Sequence, residues 1–148
     1  SKSRVCFMSA FNILSLPSLL SYVKHIEKYK IAYGHYRVSM DYAYVRHPKF
    51  LDIKIATKDM LDQYLKTTID YMIARNGKHT RFLVEEVLKL ERIYNDCITR
   101  LSQNVDLSLD RVRFVQFVNE YDKRRNKDFL EVFPQYRDFY KLCETSYV

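Results

Sequence analysis

Hydrophobic residues follow a strand-like spacing at two places in the first 56 positions, with a helical spacing between them. Residues 4–11, RVCFMSAF, are rich in strand-forming side chains and too short for a helix, which predicts a buried strand. The intervening SLPSLLSYVKHIEKY predicts a helix, with Ser15 as its N-cap and Pro17 in its first turn. Residues 36–45, YRVSMDYAYV, predict a second strand, with one face formed by Val38, Met40, Tyr42 and Tyr44.

The order strand, helix, strand predicts two neighbouring parallel strands, because a crossover connection returns the chain to the same sheet. The next segment, RHPKFLDIKIA, is not a central strand, since Pro48 has no amide hydrogen to donate. Its alternation of Leu51, Ile53 and Ile55 with polar residues predicts a short edge strand instead.

From Thr57 onward the apolar spacing changes to steps of three and four residues, which is typical of helices. Thr57 is predicted to cap a helix that ends at residues 76–77, Asn-Gly. A second helix is predicted over about residues 80–102, and Ser108 is predicted to cap a third. Pro134 predicts a break before a short last helix.

These elements predict a helix-rich α/β chain in two parts. Residues 1–56 would form the end of a partial α/β barrel, and residues 57–148 a helical C-terminal extension. A parallel pair of strands needs helices on both faces and further strands at its edges. We therefore expect the sheet to be completed by a missing N-terminal barrel half or by self-association. The chain opens Ser-Lys-Ser and enters an apolar segment at once, which favours an internal start.

Composition limits the class of protein. A chain of 148 residues that is 47% hydrophobic, with only two glycines and three prolines, is typical of one folded domain and not of disorder. It contains no apolar run long enough to span a bilayer and no signal-peptide pattern, so we expect a cytoplasmic protein without a membrane partner.

Three cysteines, Cys6, Cys97 and Cys143, are far apart and odd in number, which predicts reduced thiols and no disulfide framework. For Cys97 and Cys143 we expect a small buried apolar role. We predict no metal site, because the four histidines lack ligand spacing and the adjacent Glu85 and Glu86 point to different sides of a helix.

The net charge of +7 draws attention to residues 121–140, YDKRRNKDFLEVFPQYRDFY. Its cations can contact phosphates while its rings stack on bases; the cations are Lys123, Arg124, Arg125 and Lys127. Alternatively, the cations complement the end of a helix whose apolar stripe finishes at Tyr121, and the rings fold the tail back onto the helices. The second interpretation is favoured. The first makes the chain a stand-alone basic helical protein that binds nucleic acid, and a further alternative is an interaction protein whose long helices bind a partner.

Three blocks of the sequence resemble the C-terminal half of radical SAM proteins with a twitch extension, especially members common in bacteriophages. The blocks are residues 11–23, FNILSLPSLLSYV, residues 47–56, HPKFLDIKIA, and residues 121–140 quoted above, and their order and spacing are also similar. None of them is a catalytic motif, so the resemblance indicates ancestry more than activity. The family usually has a glycine after the arginine of the third block, where this chain has Asn126 after Arg125.

The resemblance implies a partial barrel of parallel strands closed by a helical C-terminal region. For the whole protein it implies an enzyme with a [4Fe–4S] cluster, held by three closely spaced cysteines, that reduces S-adenosylmethionine to a radical. The cysteines of this chain lack that spacing, so we expect it to bind neither cofactor alone and to be inactive alone. It would complete the barrel and shape the substrate pocket in the cytoplasm, and the phage members of the family would place that cytoplasm in a bacterial host.

Four polar residues are candidates for contact with cofactor or substrate in such a complete protein. Ligands of α/β proteins bind at the carboxyl ends of parallel strands. Ser9 and Asn12 lie at the end of the first predicted strand, and His47 and Lys49 follow the second. Each also has a structural interpretation, since Asn12 can form a turn and His47 can precede Pro48 in an extended loop.

Overall fold

A strand–helix–strand unit forms the first third of the chain, as the apolar spacing predicts. In a computed structural model that describes residues 3–77 and 79–146, β1 spans Val5–Phe11, α1 Leu19–Tyr33 and β2 Val38–Tyr44. The two strands are parallel, and their register runs from Val5 opposite Val38 to Phe11 opposite Tyr44. A single 3₁₀ turn, Leu16–Ser18, precedes α1.

Helices follow for the rest of the described chain. They are α2 (Lys58–Met60), a π-helix (Leu61–Lys66), α3 (Thr67–Arg75), α4 (Val84–Ser102), α5 (Ser108–Arg125), α6 (Phe129–Val132) and α7 (Arg137–Thr145). Short 3₁₀ helices cover Lys49–Leu51, Ile53–Ile55 and Pro134–Tyr136. The predicted α/β, helix-rich class is confirmed, whereas the described residues form a two-stranded sheet and the partial barrel stays a prediction.

The predicted edge strand at residues 51–55 is wrong, because this segment forms two 3₁₀ helices. The carboxylate of Asp52 accepts a hydrogen bond from Lys54 N at 2.9 Å, which turns the backbone away from an extended conformation. Ile53 and Ile55 are still fully buried, so the alternation reflects burial in the core and not a pleated strand.

Helix ends agree with the predictions to different degrees. Thr57 caps α2 as predicted, accepting a hydrogen bond from Met60 N at 3.3 Å. The helix predicted from residue 80 begins at Val84, because Asn76 Oδ1 accepts hydrogen bonds from Arg81 N and Phe82 N and holds that segment in a loop. Ser15 makes no capping bond and precedes a 3₁₀ turn, while α5 begins at Ser108 itself.

One continuous hydrophobic core joins residues from both sides of the predicted boundary at residues 56 and 57, from Phe11 to Cys143. The division into two parts stays a prediction. Tyr121, predicted on the inner stripe of α5, is half-exposed; the buried face of α5 consists of Phe114, Val115 and Val118.

No helix among residues 3–77 and 79–146 is long and apolar enough to cross a membrane.

Candidate functional site at the carboxyl ends of the strands

The loop after β1 is organised by Asn12. Its Oδ1 accepts hydrogen bonds from Leu14 N at 2.8 Å and Ser15 N at 3.3 Å, and its Nδ2 donates to Ala10 O at 3.1 Å. Ser15 Oγ in turn accepts from Asn12 N at 2.9 Å. Both ends of the Asn12 side chain are therefore engaged in the turn, which agrees with its structural interpretation.

The loop after β2 carries the other two candidates. The His47–Pro48 peptide is cis, and the side chains of His47 and Lys49 are exposed. Ile13 N donates to Leu51 O at 2.9 Å, so this loop lies directly against the loop after β1. Ser9 lies earlier, inside β1 opposite Tyr42 and partly buried. The structure thus places Asn12, His47 and Lys49 at the carboxyl end of the sheet, and Ser9 within it.

The aromatic tail, residues 129–140, packs against the loops that follow β1 and β2. Tyr136 is fully buried, and its hydroxyl donates a hydrogen bond to Ile13 O, 123 positions earlier in the chain. Burial raises the pKa of the Tyr136 phenol, so it remains a donor. Phe50 packs on Phe117 with ring centroids 5.3 Å apart. The three sequence blocks on which the family resemblance depends therefore meet at one end of the sheet.

Beside this meeting point lies an apolar cavity of about 390 Å³, here called the carboxyl-end groove. It lies between the loop after β1, the end of α5 and the short helix α6. Its walls are formed by Leu14, Phe117, Val118, Tyr121, Asp122, Lys127, Asp128, Phe129, Val132 and Phe133. Phe129 and Phe133 stack with centroids 4.9 Å apart and form its aromatic wall. This volume and lining are typical of small-ligand sites.

Each of the two carboxylates of the groove accepts a hydrogen bond from a backbone amide. Asp122 Oδ2 accepts from Phe129 N at 2.9 Å, and Asp128 Oδ1 accepts from Leu130 N at 2.9 Å at the start of α6. Lys127 has an exposed side chain and is the cation of the groove lining. The groove therefore has apolar and aromatic walls, with the Lys127 ammonium and the carboxylates of Asp122 and Asp128 in its lining.

The remaining cations of the basic cluster lie at the end of α5 and are exposed. Arg124 Nε pairs with Glu120 Oε2 at 3.2 Å, and the Arg125 guanidinium lies 5.9 Å from the centre of the Tyr121 ring. Asn126 ends the helix in the left-handed conformation, with φ 50°. It thus adopts a backbone conformation that glycine, the usual residue here in the family that the sequence resembles, adopts most easily.

The rings of the tail pack inward, as the favoured interpretation predicts. Phe129, Tyr136 and Phe139 are at most 8% exposed. Phe129 and Phe139 pack on Phe114 of α5, and Tyr136 packs on both of them. Rings in this position are not available for stacking on nucleic-acid bases. The prediction that the tail folds back onto the helices is confirmed.

The cysteines do not fit an iron–sulfur cluster. Cys97 and Cys143 are buried, and burial raises the pKa of each thiol to about 12, whereas cluster ligands are thiolates. Cys6 is exposed on β1. The described residues contain no group of three His, Cys, Asp or Glu side chains that could hold a metal ion.

The outer edge of β1 is unpaired. Val5 and Phe11 bond towards β2, with Val5 N donating to Arg37 O and Val45 N to Phe11 O, so the backbone groups of Cys6 and Met8 point the other way. These groups have no hydrogen-bond partner in the part of the chain that the structure describes.

The same strand has an uncovered face. Cys6, Met8 and Ala10 all have exposed side chains, and that of Met8 is 63% exposed. The opposite face carries Phe7, which stacks on Tyr29 of α1 at 5.7 Å between ring centroids. One face of the sheet is therefore packed and the other is open.

Sequence reasoning missed the buried ion pair of Lys30 and Glu86, whose side chains are 0% and 3% exposed and 2.8 Å apart. A signal was present, since Lys30 continues the apolar stripe of α1 four residues after Ile26. The prediction that Glu85 and Glu86 point to different sides is confirmed, because Glu85 is exposed.

Comparison with known proteins gives no relative for this chain: no protein-family model matches it, and neither does any curated protein or solved structure at a significant level.

Proposed function

We propose that this chain is the C-terminal part of a longer radical S-adenosylmethionine enzyme of the twitch type, in which it completes a parallel α/β sheet and forms one wall of the substrate pocket. The observation that carries the proposal is the unfinished sheet. Parallel sheets are normally covered by helices on both faces, yet β1 exposes Cys6, Met8 and Ala10 and leaves its outer edge unpaired.

The meeting of the three resembling blocks supports the same proposal. They lie together at the carboxyl ends of β1 and β2, joined by the bonds of Ile13 to Leu51 and Tyr136. In parallel α/β proteins this end of the sheet holds the ligand. The carboxyl-end groove, with its aromatic wall and Lys127 in its lining, is the part of the pocket that this chain supplies.

The cofactors belong, in this proposal, to the preceding part of the longer protein. The buried, protonated thiols of Cys97 and Cys143 do not suit a cluster, so no chemical step is assigned to residues of this chain. The cluster would supply the electron that cleaves S-adenosylmethionine. This chain would orient the substrate and exclude water.

The reading frame that precedes the codon for Ser1 tests the proposal. We expect it to stay open and to encode three closely spaced cysteines. The longer protein, purified without oxygen and reconstituted with iron and sulfide, should then cleave S-adenosylmethionine to 5′-deoxyadenosine, while a control with those cysteines changed to alanine should not. A stop codon directly upstream, or a frame without clustered cysteines, would overturn the proposal.

A second candidate is a stand-alone basic protein that binds nucleic acid or another protein. It is favoured by the four exposed cations grouped at the end of α5, Lys123, Arg124, Arg125 and Lys127. An electrophoretic shift with RNA and DNA oligonucleotides at low and high salt tests it. Binding through these cations should weaken steeply with salt and be lost in the triple variant Lys123→Gln, Arg124→Gln, Arg125→Gln.

A matched control removes the same charge elsewhere, from the exposed side chains of Lys28, Arg92 and Lys141. If the α5 cations form a binding site, this control binds like the unmodified protein. Equal binding by both triple variants, whether weakened or not, would contradict a specific nucleic-acid site and leave only the attraction of a basic protein to polyanions.

A further inference from the structure

The two edges of the sheet differ, because the outer edge of β2 is occupied. Lys30 Nζ donates to Val38 O at 2.8 Å, and Glu86 Oε1 accepts from Met40 N at 2.8 Å. Val38 and Met40 are two of the alternate residues of β2 whose backbone groups face away from β1. The outward carbonyl of Val38 and the outward amide of Met40 are therefore already bonded to buried side chains, and the amide of Tyr42 donates to Asp41 Oδ1 at 2.8 Å.

Several contacts hold the Lys30–Glu86 pair in place at this edge. Lys30 and Glu86 bond each other at 2.8 Å, and Glu86 Oε2 also accepts from Leu83 N at 2.9 Å at the start of α4. The ammonium of Lys30 lies 5.8 Å from the centre of the Phe82 ring. Because both charges are buried, removing either partner leaves the other without compensation.

The outer edge of β1 shows none of these protections. From Val5 to Phe11 the strand contains neither a charged residue nor a proline, the usual devices against edge pairing. At the start of the strand, Phe7, Tyr29 and Tyr33 line a mainly apolar depression of about 290 Å³ that also contains Arg37, and Tyr33 is 64% exposed. The edge is therefore suited to an uncharged extended segment with apolar side chains.

We propose that the Lys30–Glu86 pair ends the sheet at β2 and that the open edge of β1 binds β1 of a second copy of this chain. Antiparallel pairing around a twofold axis places Cys6 opposite Met8 of the second copy, which uses the unpaired backbone groups of both residues. Because each copy has one open edge, the contact is isologous and association stops at a dimer. The inference rests on the edge geometry, and for this edge it is the alternative to the upstream strand of the proposed function.

Light scattering coupled to size-exclusion chromatography measures the predicted state over a range of concentrations. The unmodified chain should be a dimer that dissociates on dilution. Met8→Lys places a charge on the open edge and should give a monomer, whereas Ile73→Lys, at a 50% exposed position of α3, should stay dimeric. A monomeric unmodified chain, or a Met8→Lys variant that is still dimeric, overturns the proposal.

The covered edge of β2 has its own test. The double variant Lys30→Met, Glu86→Leu removes both charges together but fills the same space, so Val38 and Met40, which are at most 5% exposed, stay covered. We expect this variant to stay a dimer, as should Glu86→Gln, which keeps an oxygen for Met40 N. Circular dichroism establishes that both variants are folded, and a folded variant that forms species larger than a dimer overturns the assignment of one open edge to each copy.

Amide hydrogen exchange separates this inference from the proposed function. In the chain alone, the Met8 amide should become protected as concentration rises, while the Met40 amide is protected at every concentration. If the upstream frame encodes the longer enzyme and its product is a monomer with a protected Met8 amide, an internal strand occupies the edge. That result overturns the dimer and leaves the proposed function intact.

Discussion

The hydrogen bonds of Asn12 indicate that its side chain forms a turn, although its position in the sequence also suggested contact with a ligand. Its place at the end of β1 suggested ligand contact, yet its side chain bonds Leu14 N, Ser15 N and Ala10 O. The sequence predicted the turn as one of two interpretations, since asparagine after a strand favours both. Only the structure shows that both the oxygen and the nitrogen of its amide are engaged in this turn.

Replacing Asn12 should therefore affect folding. Asn12→Ala loses the acceptor for Leu14 N and Ser15 N, and we expect the free energy of unfolding to fall by about 1–2 kcal/mol, measured by urea denaturation. Asn12→Asp keeps the acceptor oxygen and should lose less than half of that. An Asn12→Ala variant with unchanged stability would contradict the structural role.

The Lys30–Glu86 pair predicts a larger effect at the residue scale. Glu86→Ala leaves the Lys30 ammonium buried without its partner, and we expect a loss of about 3–5 kcal/mol in the free energy of unfolding. Lys30→Met combined with Glu86→Leu should recover part of this loss, because no buried charge remains. A double variant less stable than Glu86→Ala would contradict this account of the pair.

The thiols give a chemical test of burial. Burial raises the pKa of Cys97 and of Cys143 to about 12, so both remain protonated and shielded at pH 8, whereas Cys6 is exposed. Iodoacetamide at about pH 8 should therefore add one group to the folded chain and three in urea, counted by mass spectrometry. Two or three adducts on the folded chain would contradict the burial of these thiols.

At the scale of elements, periodicity predicted strands and helices well where one physical requirement acted alone. β1, β2 and α1 follow from apolar spacing, and their parallel pairing follows from the crossover rule. Prediction failed where side-chain bonds to the backbone competed with periodicity. Asp52 turned the alternating residues 51–55 into 3₁₀ helices, and Asn76 delayed the start of α4 to Val84.

The end of α5 gives the prediction at this scale. Asn126 has φ 50°, a conformation that costs most residues about 1–2 kcal/mol and glycine almost nothing. Asn126→Gly should leave the free energy of unfolding within about 0.5 kcal/mol of the unmodified value, while the β-branched Asn126→Val should lower it by about 1–2 kcal/mol. Thermal melts of the two variants measure the difference, and equal melting temperatures would contradict the left-handed end.

At the scale of the whole molecule, the sequence predicted that the two-stranded sheet is incomplete, but it did not predict which edge of the sheet is unpaired. The parallel pair and its need for further strands follow from strand chemistry. The difference between the outer edges of β1 and β2 does not follow from strand chemistry. It depends on Lys30 and Glu86, which are 56 positions apart and meet at Val38 and Met40. The sequence did not predict the carboxyl-end groove either, because Leu14 and Phe129 become neighbours only when the tail packs against the loop after β1.

The tail decides between a structural and a binding role for the aromatic segment. A chain ending at Phe133 lacks Tyr136, Phe139 and Cys143, all buried, and each such loss costs about 2–5 kcal/mol against a typical net stability of about 5–15 kcal/mol. We expect it to melt without cooperativity, whereas the full-length control Lys141→Ala, at an exposed position of α7, should melt like the unmodified chain. Were the segment instead a nucleic-acid platform, the shorter chain would keep its cooperative melt and lose only binding, an outcome at odds with the buried Tyr136 hydroxyl bonded to Ile13 O.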